Sequence, residues 1–202
     1  MQRAETAYQP AVNRLVVGSN PTRGAIPLHG MARFLLTACA WIALGAVAHA
    51  QTVVLVRHAE KAAQPVADPP LTDAGVARAR ALAQSLEGAG VDLILTSPLQ
   101  RTIQTAAVLE KGQGVPARQV GLGAAAEGHS QLVADQIRRE GAQAVVLVVG
   151  HSNTIPAIAK ALGFERVEPM SDCEYDRMIV LRLTGKAPRV IVTRYGAPSP
   201  SC

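Results

Sequence analysis

Aromatic residues are scarce in this chain: two Phe, one Trp and three Tyr make up 3% of 202 residues. A core of ordinary size must therefore be built from Ala, Val, Leu and Ile, and the hydrophobic content of 49% supplies them. Cysteine is nearly absent too, with three in all, and no Cys/His cluster has the spacing of a zinc site, which argues against a structural metal. The longest apolar run falls short of the roughly 20 residues that a membrane-spanning helix needs. No internal repeat or low-complexity segment is visible. A charge of one sign is missing from most of the chain as well. The formal net charge is +5, but residues 51–202 hold 16 Lys and Arg against 14 Asp and Glu, and the first 50 hold four Arg against one Glu. The basic balance thus belongs to the front of the chain and gives no reason to expect nucleic acid as a partner.

That front has a recognisable pattern. Met31-Ala32-Arg33 precedes the apolar run from Phe34 to Val47, and Ala48-His49-Ala50 follows it. A basic start, a short apolar stretch and an Ala-x-Ala end are the three parts of a secretory signal peptide. The expectation is cleavage after Ala50, a mature chain that starts at Gln51, a periplasmic or secreted location and no lasting membrane anchor. A lipoprotein reading of Leu36-Thr37-Ala38-Cys39 leaves too few apolar residues before the cysteine. Residues 1–30 carry Pro10, Pro21 and Pro27 with no periodic pattern, and read as disordered and as an over-extended start ahead of Met31. Cys173 and Cys202 stay in the mature chain as candidates for a disulfide in an oxidising compartment.

From residue 51 onward, apolar runs alternate with helical periodicity. Thr52–Val56, Val91–Thr96, Arg118–Leu122 and Ala144–Val149 read as strands, with Met178–Leu183 and Arg189–Thr193 as two more. Helices are expected from the cap Thr72 to Glu87, over Leu99–Glu110 behind Ser97-Pro98, over Ser130–Glu140, and over Ile155–Leu162. Val76, Ala79, Leu82, Ala83 and Leu86 form the apolar stripe of the first, and Leu132, Val133 and Ile137 that of the third. The alternation predicts a single α/β domain over 51–202, with a mostly parallel central sheet and helices on both faces.

Three of the strands end in unusual residues: Arg57-His58, Ser97-x-x-x-Arg101 and Gly150-His151. Parallel strands bring such ends to one edge of the sheet, where open α/β folds hold their ligands. Two Arg and two His suit a phosphoryl group. The guanidinium fork matches phosphate oxygens in pairs with a permanent charge. A neutral imidazole can attack phosphorus, and a covalent intermediate divides hydrolysis into two easier steps.

On Arg57-His58-Ala59-Glu60, Leu71-Thr72-x-x-Gly75, Ser97-Pro98-Leu99-x-Arg101-Thr102-x-x-Thr105-Ala106 and Val149-Gly150-His151-Ser152, the chain resembles the histidine phosphatase superfamily, which includes phosphoglycerate mutases and acid phosphatases. The motifs occur in the family's order and span about residues 52–183. The resemblance implies a three-layer α/β/α sandwich, His58 as the nucleophile that becomes phosphohistidine, and a phosphate pocket of Arg57, Arg101 and His151 with Ser152. It implies a metal-independent phosphoric monoester hydrolase without a cofactor, acting on a small phosphorylated substrate. The chain lacks the longer insertions that close a mutase pocket.

The proton donor is left open between several carboxylates. By the same resemblance Glu127 stands in the right interval, without the Trp of the family's context. Glu60, Asp172, Glu174 and Asp176 are the others, with Glu60 alternatively orienting Arg57. In the acid-phosphatase branch the acid follows the second His directly, where this chain has Ser152. Three alternatives stand beside a general phosphomonoesterase: one specialised for cell-envelope sugar phosphates or for phosphohistidine, a binding module for phosphorylated ligands with little turnover, and a metal site on His58, Glu60 and His151. Arg57 and Arg101 would repel a cation at the last.

Overall fold

The computed structural model describes residues 50–123, 125–183 and 189–201. The expected signal peptide up to His49, the expected over-extended start and Cys202 lie outside these residues; Cys173 is disulfide-bonded. Among the described residues, six strands and four helices follow one another as β1 (Gln51–Arg57), α1 (Asp73–Ser85), β2 (Leu93–Thr96), α2 (Gln100–Gln113), β3 (Ala117–Gln119), α3 (Ala126–Arg139), β4 (Val145–Gly150), α4 (Thr154–Ala161), β5 (Arg177–Leu183) and β6 (Arg189–Arg194).

The strands form one sheet in the order β3-β2-β4-β1-β5-β6. The first four run parallel, and β5 pairs antiparallel with both β1 and β6. Apolar side chains project alternately from the two faces of the central strands. Val53, Leu55, Val146 and Val148 pack with Ile137 of α3 and Ile158 of α4. Val54, Val56, Leu147 and Val149 pack with Leu82 of α1 and Leu109 of α2 on the opposite face. The result is the three-layer α/β/α sandwich that the alternating pattern predicts. Both faces are covered, which is why β1 and β4 read as continuous apolar runs rather than alternating ones.

Most elements fall where expected, and the departures have local causes. Thr72 caps α1 by accepting a hydrogen bond from the Gly75 N–H. Yet Val76 is exposed and Arg78 is buried, because a carboxylate waits on the inner side of that helix. Leu132 is likewise exposed. The third helix starts at Ala126, four residues before the expected Ser130, whose hydroxyl donates back to the Ala126 carbonyl instead of capping. No side chain caps this helix, so its start leaves no signature in the residue types. Ser97-Pro98 precede α2 rather than opening it, and its cap is Leu99, without a side-chain bond. The strand expected at 118–122 is the shorter β3.

Two glycines permit the close approaches that shape the site. A Cβ on Gly75 would lie 2.2 Å from the Glu60 carbonyl oxygen, and one on Gly150 would lie 2.8 Å from Ile155 Cδ1 and 2.9 Å from Thr154 Oγ1. The first approach docks α1 on the chain leaving β1, and the second folds α4 back on the end of β4.

Candidate active site

Strand order decides which side chains meet. Because β4 lies beside β1, Arg57 stands opposite Gly150, and the His58 N–H donates to the Gly150 carbonyl at 2.9 Å. The two imidazoles follow the paired ends, with ring centroids 5.3 Å apart in an edge-to-face arrangement. Beyond His58, the Ala59 N–H donates to Thr105 Oγ1 of α2 at 2.9 Å, which fixes the backbone after the strand.

The surroundings of His58 select which ring nitrogen keeps its lone pair. Nδ1 lies 2.8 Å from the Ala59 carbonyl oxygen, which can only accept, so Nδ1 carries the proton and Nε2 keeps its lone pair. Burial drives the pKa of this ring from 6.5 to about 3, with Arg57, His151 and Arg101 adding to the effect against the Ala59 hydrogen bond. His151 falls to about 4, again chiefly through burial, then Arg101, His129 and Arg57. Both rings are therefore neutral at pH 7.

Arg57 is held from three sides. Its Nη1 donates to the carbonyls of Ser171 (2.9 Å) and Glu174 (3.3 Å), and its guanidinium carbon lies 4.3 Å from the centre of the Tyr175 ring. Its Nη2 is 3.8 Å from Asp172 Oδ1. Arg101, in the first turn of α2, is 3.9 Å from Asp68 Oδ1, and burial lowers its pKa without threatening its charge. The Nε atoms of both arginines are buried without a hydrogen-bond partner. Two unsatisfied cationic N–H donors at neighbouring element ends suit an anion with several oxygens.

His151 is oriented through a chain that residue types did not suggest. Its Nε2 is 3.0 Å from the Ser97 hydroxyl, which is 2.9 Å from Thr102 Oγ1, and Thr102 donates to the carbonyls of Ser97 and Leu99. Ser97 therefore serves the second histidine as well as the helix entry. Arg57, His58, Arg101 and His151 line one cleft of about 420 Å³, together with Lys61, Leu99, His129 and Asp172.

The carboxylates proposed from the sequence part company here. Glu60 does not orient Arg57: it receives Arg78 Nε at 2.9 and 3.0 Å and Nη2 at 2.7 Å, and it is not among the residues lining the cleft. It is thereby separated from His58 and His151, and among the described residues no three His, Cys, Asp or Glu side chains group as a metal site. Glu174 pairs with Arg177 at 2.6 Å and Arg194 at 3.4 Å. Asp176 pairs with Arg194 at 2.7 Å; burial opposes its ionisation, but hydrogen bonds from Ser199 and the charge of Arg194 bring its pKa down on balance. Glu127 is exposed in the first turn of α3 and is not among the residues lining the cleft, whereas the buried His129, two residues on, is. Its Nδ1 lies 2.8 Å from the Gly121 carbonyl. Asp172 accepts a hydrogen bond from the Ser152 hydroxyl at 3.0 Å and stays in the cleft. His129 and Tyr175 went unnoticed in the sequence, since neither stands at a strand end or in a motif.

Comparison with known proteins agrees with this geometry. The model of the histidine phosphatase superfamily (branch 1) matches residues 53–121. A solved structure assigned as the phosphohistidine phosphatase SixA of Nakamurella multipartitia is 29% identical over 74% of this chain and 96% of its own, with a TM-score of 0.53. The corresponding SixA protein of Agrobacterium tumefaciens is 26% identical over 73% and 97%, with a TM-score of 0.52. A mycobacterial glucosyl-3-phosphoglycerate phosphatase shares the fold at 16% identity over 73% and 99%, with a TM-score of 0.53. No curated protein matches the chain. The family model covers the first His and Arg motifs and the SixA structures are covered almost end to end, and both support placing the chain in the histidine phosphatase superfamily.

Proposed function

We propose that the protein is a phosphomonoester phosphatase that works through a phosphohistidine on His58. One observation carries the reading: a neutral imidazole with Nε2 free stands beside two guanidinium groups whose buried Nε donors have no partner. Arg57 and Arg101 hold the non-bridging phosphate oxygens, and Nε2 of His58 attacks phosphorus in line with the leaving oxygen. The pinned backbone at Ala59 and the carbonyls behind Arg57 keep this geometry without reorganisation. When phosphate enters, its negative charge favours protonation of His151, which then becomes a further donor to the transferring group. Water attacks the phosphohistidine in the second step and returns His58 to its starting state. None of these roles requires a metal or an organic cofactor.

The similarity to SixA proteins favours a second reading, in which the phosphoryl group arrives on a histidine of another protein. Both readings share the intermediate. Incubation with p-nitrophenyl phosphate and with a phosphohistidine peptide, in the presence of a chelator, tests them. Turnover by the wild type and a loss of at least about 10³-fold in His58→Ala are expected. Turnover that survives His58→Ala rejects the covalent route, and phosphate binding without turnover of either substrate identifies a binding module.

A further inference from the structure

We propose that Asp172 is the proton donor to the leaving oxygen, and hence that the substrates are O-linked esters of poorly acidic alcohols. This rests on the covalent reading above and concerns its missing acid. Three placements converge on the residue. It is the carboxyl group among the described residues that line the cleft. Its Oδ1 accepts from Ser152 Oγ at 3.0 Å, directly after His151, and lies 3.8 Å from Arg57 Nη2. Its side chain is 91% exposed, whereas His58 is 3% exposed.

The contrast in exposure matters for stereochemistry. In-line displacement puts the leaving oxygen on the side of phosphorus opposite the attacking nitrogen. With Nε2 on the buried floor, that oxygen points to the mouth of the cleft, where Asp172 stands. The other carboxylates proposed from the sequence are spoken for by guanidinium groups or stand off the cleft: Glu60 on Arg78, Glu174 on Arg177, Asp176 on Arg194, and Glu127 outside the lining. A carboxylate held by a cation favours its ionised form and is a poor donor. Asp172 is hydrogen-bonded to no guanidinium: Arg57 Nη2 is 3.8 Å away, and its Oδ1 accepts from the neutral Ser152 hydroxyl.

The step balances. Nε2 of His58 forms the N–P bond, the P–O bond breaks with its electron pair on the alcohol oxygen, and the Asp172 carboxyl gives that oxygen its proton. In the second step the Asp172 carboxylate takes a proton from the attacking water, and the N–P electron pair returns to His58. An alkoxide leaves poorly without this proton. An imidazole that already carries a proton on its distal nitrogen leaves readily, so the donor would be idle on phosphohistidine.

The test is the dependence of kcat/KM on leaving-group acidity, measured for the wild type and Asp172→Asn on an alkyl phosphate, phenyl phosphate and 2,4-dinitrophenyl phosphate. Asn keeps the size of Asp172 and an acceptor for Ser152. A loss of about 10²–10³-fold on the alkyl ester, with less than about tenfold on the dinitrophenyl ester, is expected. An equal loss on all three esters, with His58→Ala inert, overturns the proton assignment alone and makes Asp172 a positioning residue for Arg57. The same steepening in Glu127→Gln or His129→Gln, with Asp172→Asn unaffected, also overturns it. Turnover by His58→Ala removes the covalent reading and this assignment together.

Discussion

His58 and His151 are kept neutral by burial among cations, and this neutrality couples the site to folding. Their pKa values fall from 6.5 to about 3 and about 4. Between pH 6.5 and about 4 an unfolded chain takes up protons on both rings while the native chain does not. Stability therefore rises with pH through this window and is lost as pH falls. By pH 5 the two rings together should cost up to about 4 kcal/mol relative to pH 7. Urea unfolding at pH 7 and pH 5 checks this: the double variant His58→Asn, His151→Asn should show a clearly smaller drop than the wild type. An identical drop in both would place the acid sensitivity in the carboxylate pairs instead. In the proposed mechanism the same neutrality leaves His58 the lone pair with which it attacks at pH 7, so one packing arrangement serves reactivity and penalises acid.

The junction of β1 and α1 shows how an element is positioned by a missing atom. Thr72 N–H donates to the Glu60 carbonyl at 2.9 Å, and Gly75 passes directly over that carbonyl. In an open helix, Gly→Ala gains about 1 kcal/mol from lower chain entropy and better propensity. At Gly75 the new Cβ would meet backbone oxygen at 2.2 Å, and neither partner is a flexible side chain. The steric cost of overpacking is about 1–3 kcal/mol and should win. Gly75→Ala is expected to lower stability by about 1–2 kcal/mol in urea unfolding, and to disturb the Ala59–Glu60 backbone beside the proposed nucleophile. A stabilised variant would mean that α1 can shift away freely.

Across the molecule, buried ion pairs connect the site to the end of the described chain. Arg78 binds Glu60 on one side and donates to the carbonyls of Tyr195 and Ala197 on the other. Ser199 receives the N–H groups of Tyr175 and Asp176, so the terminal segment supports the loop that carries Arg57's carbonyl partners. Arg78→Ala would leave Glu60 half-buried without its cation, and removing one member of such a pair costs about 3 kcal/mol or more. The expected result is a loss of that size in urea unfolding, with substantial recovery when Glu60→Leu is added. No recovery would assign the loss to the carbonyl contacts of the terminal segment.

Composition and periodicity were enough to place β1 and β4 as doubly buried strands, to mark their basic ends and to order the helices between them. These features are local: an apolar run reports burial on both faces, and an abrupt change to Arg-His or Gly-His reports where it stops. The position of His58, the proposed nucleophile, was legible for that reason. The partners of the carboxylates were not, because Glu60, Asp172, Glu174 and Asp176 look alike along the chain. Their roles follow from which guanidinium each reaches after folding, across separations such as the 18 residues between Glu60 and Arg78 and the 20 between Glu174 and Arg194. The insertion of β4 between β1 and β2 is of the same kind. Residue patterns tell how deeply a segment is buried, while long-range pairing tells which neighbour it is buried against.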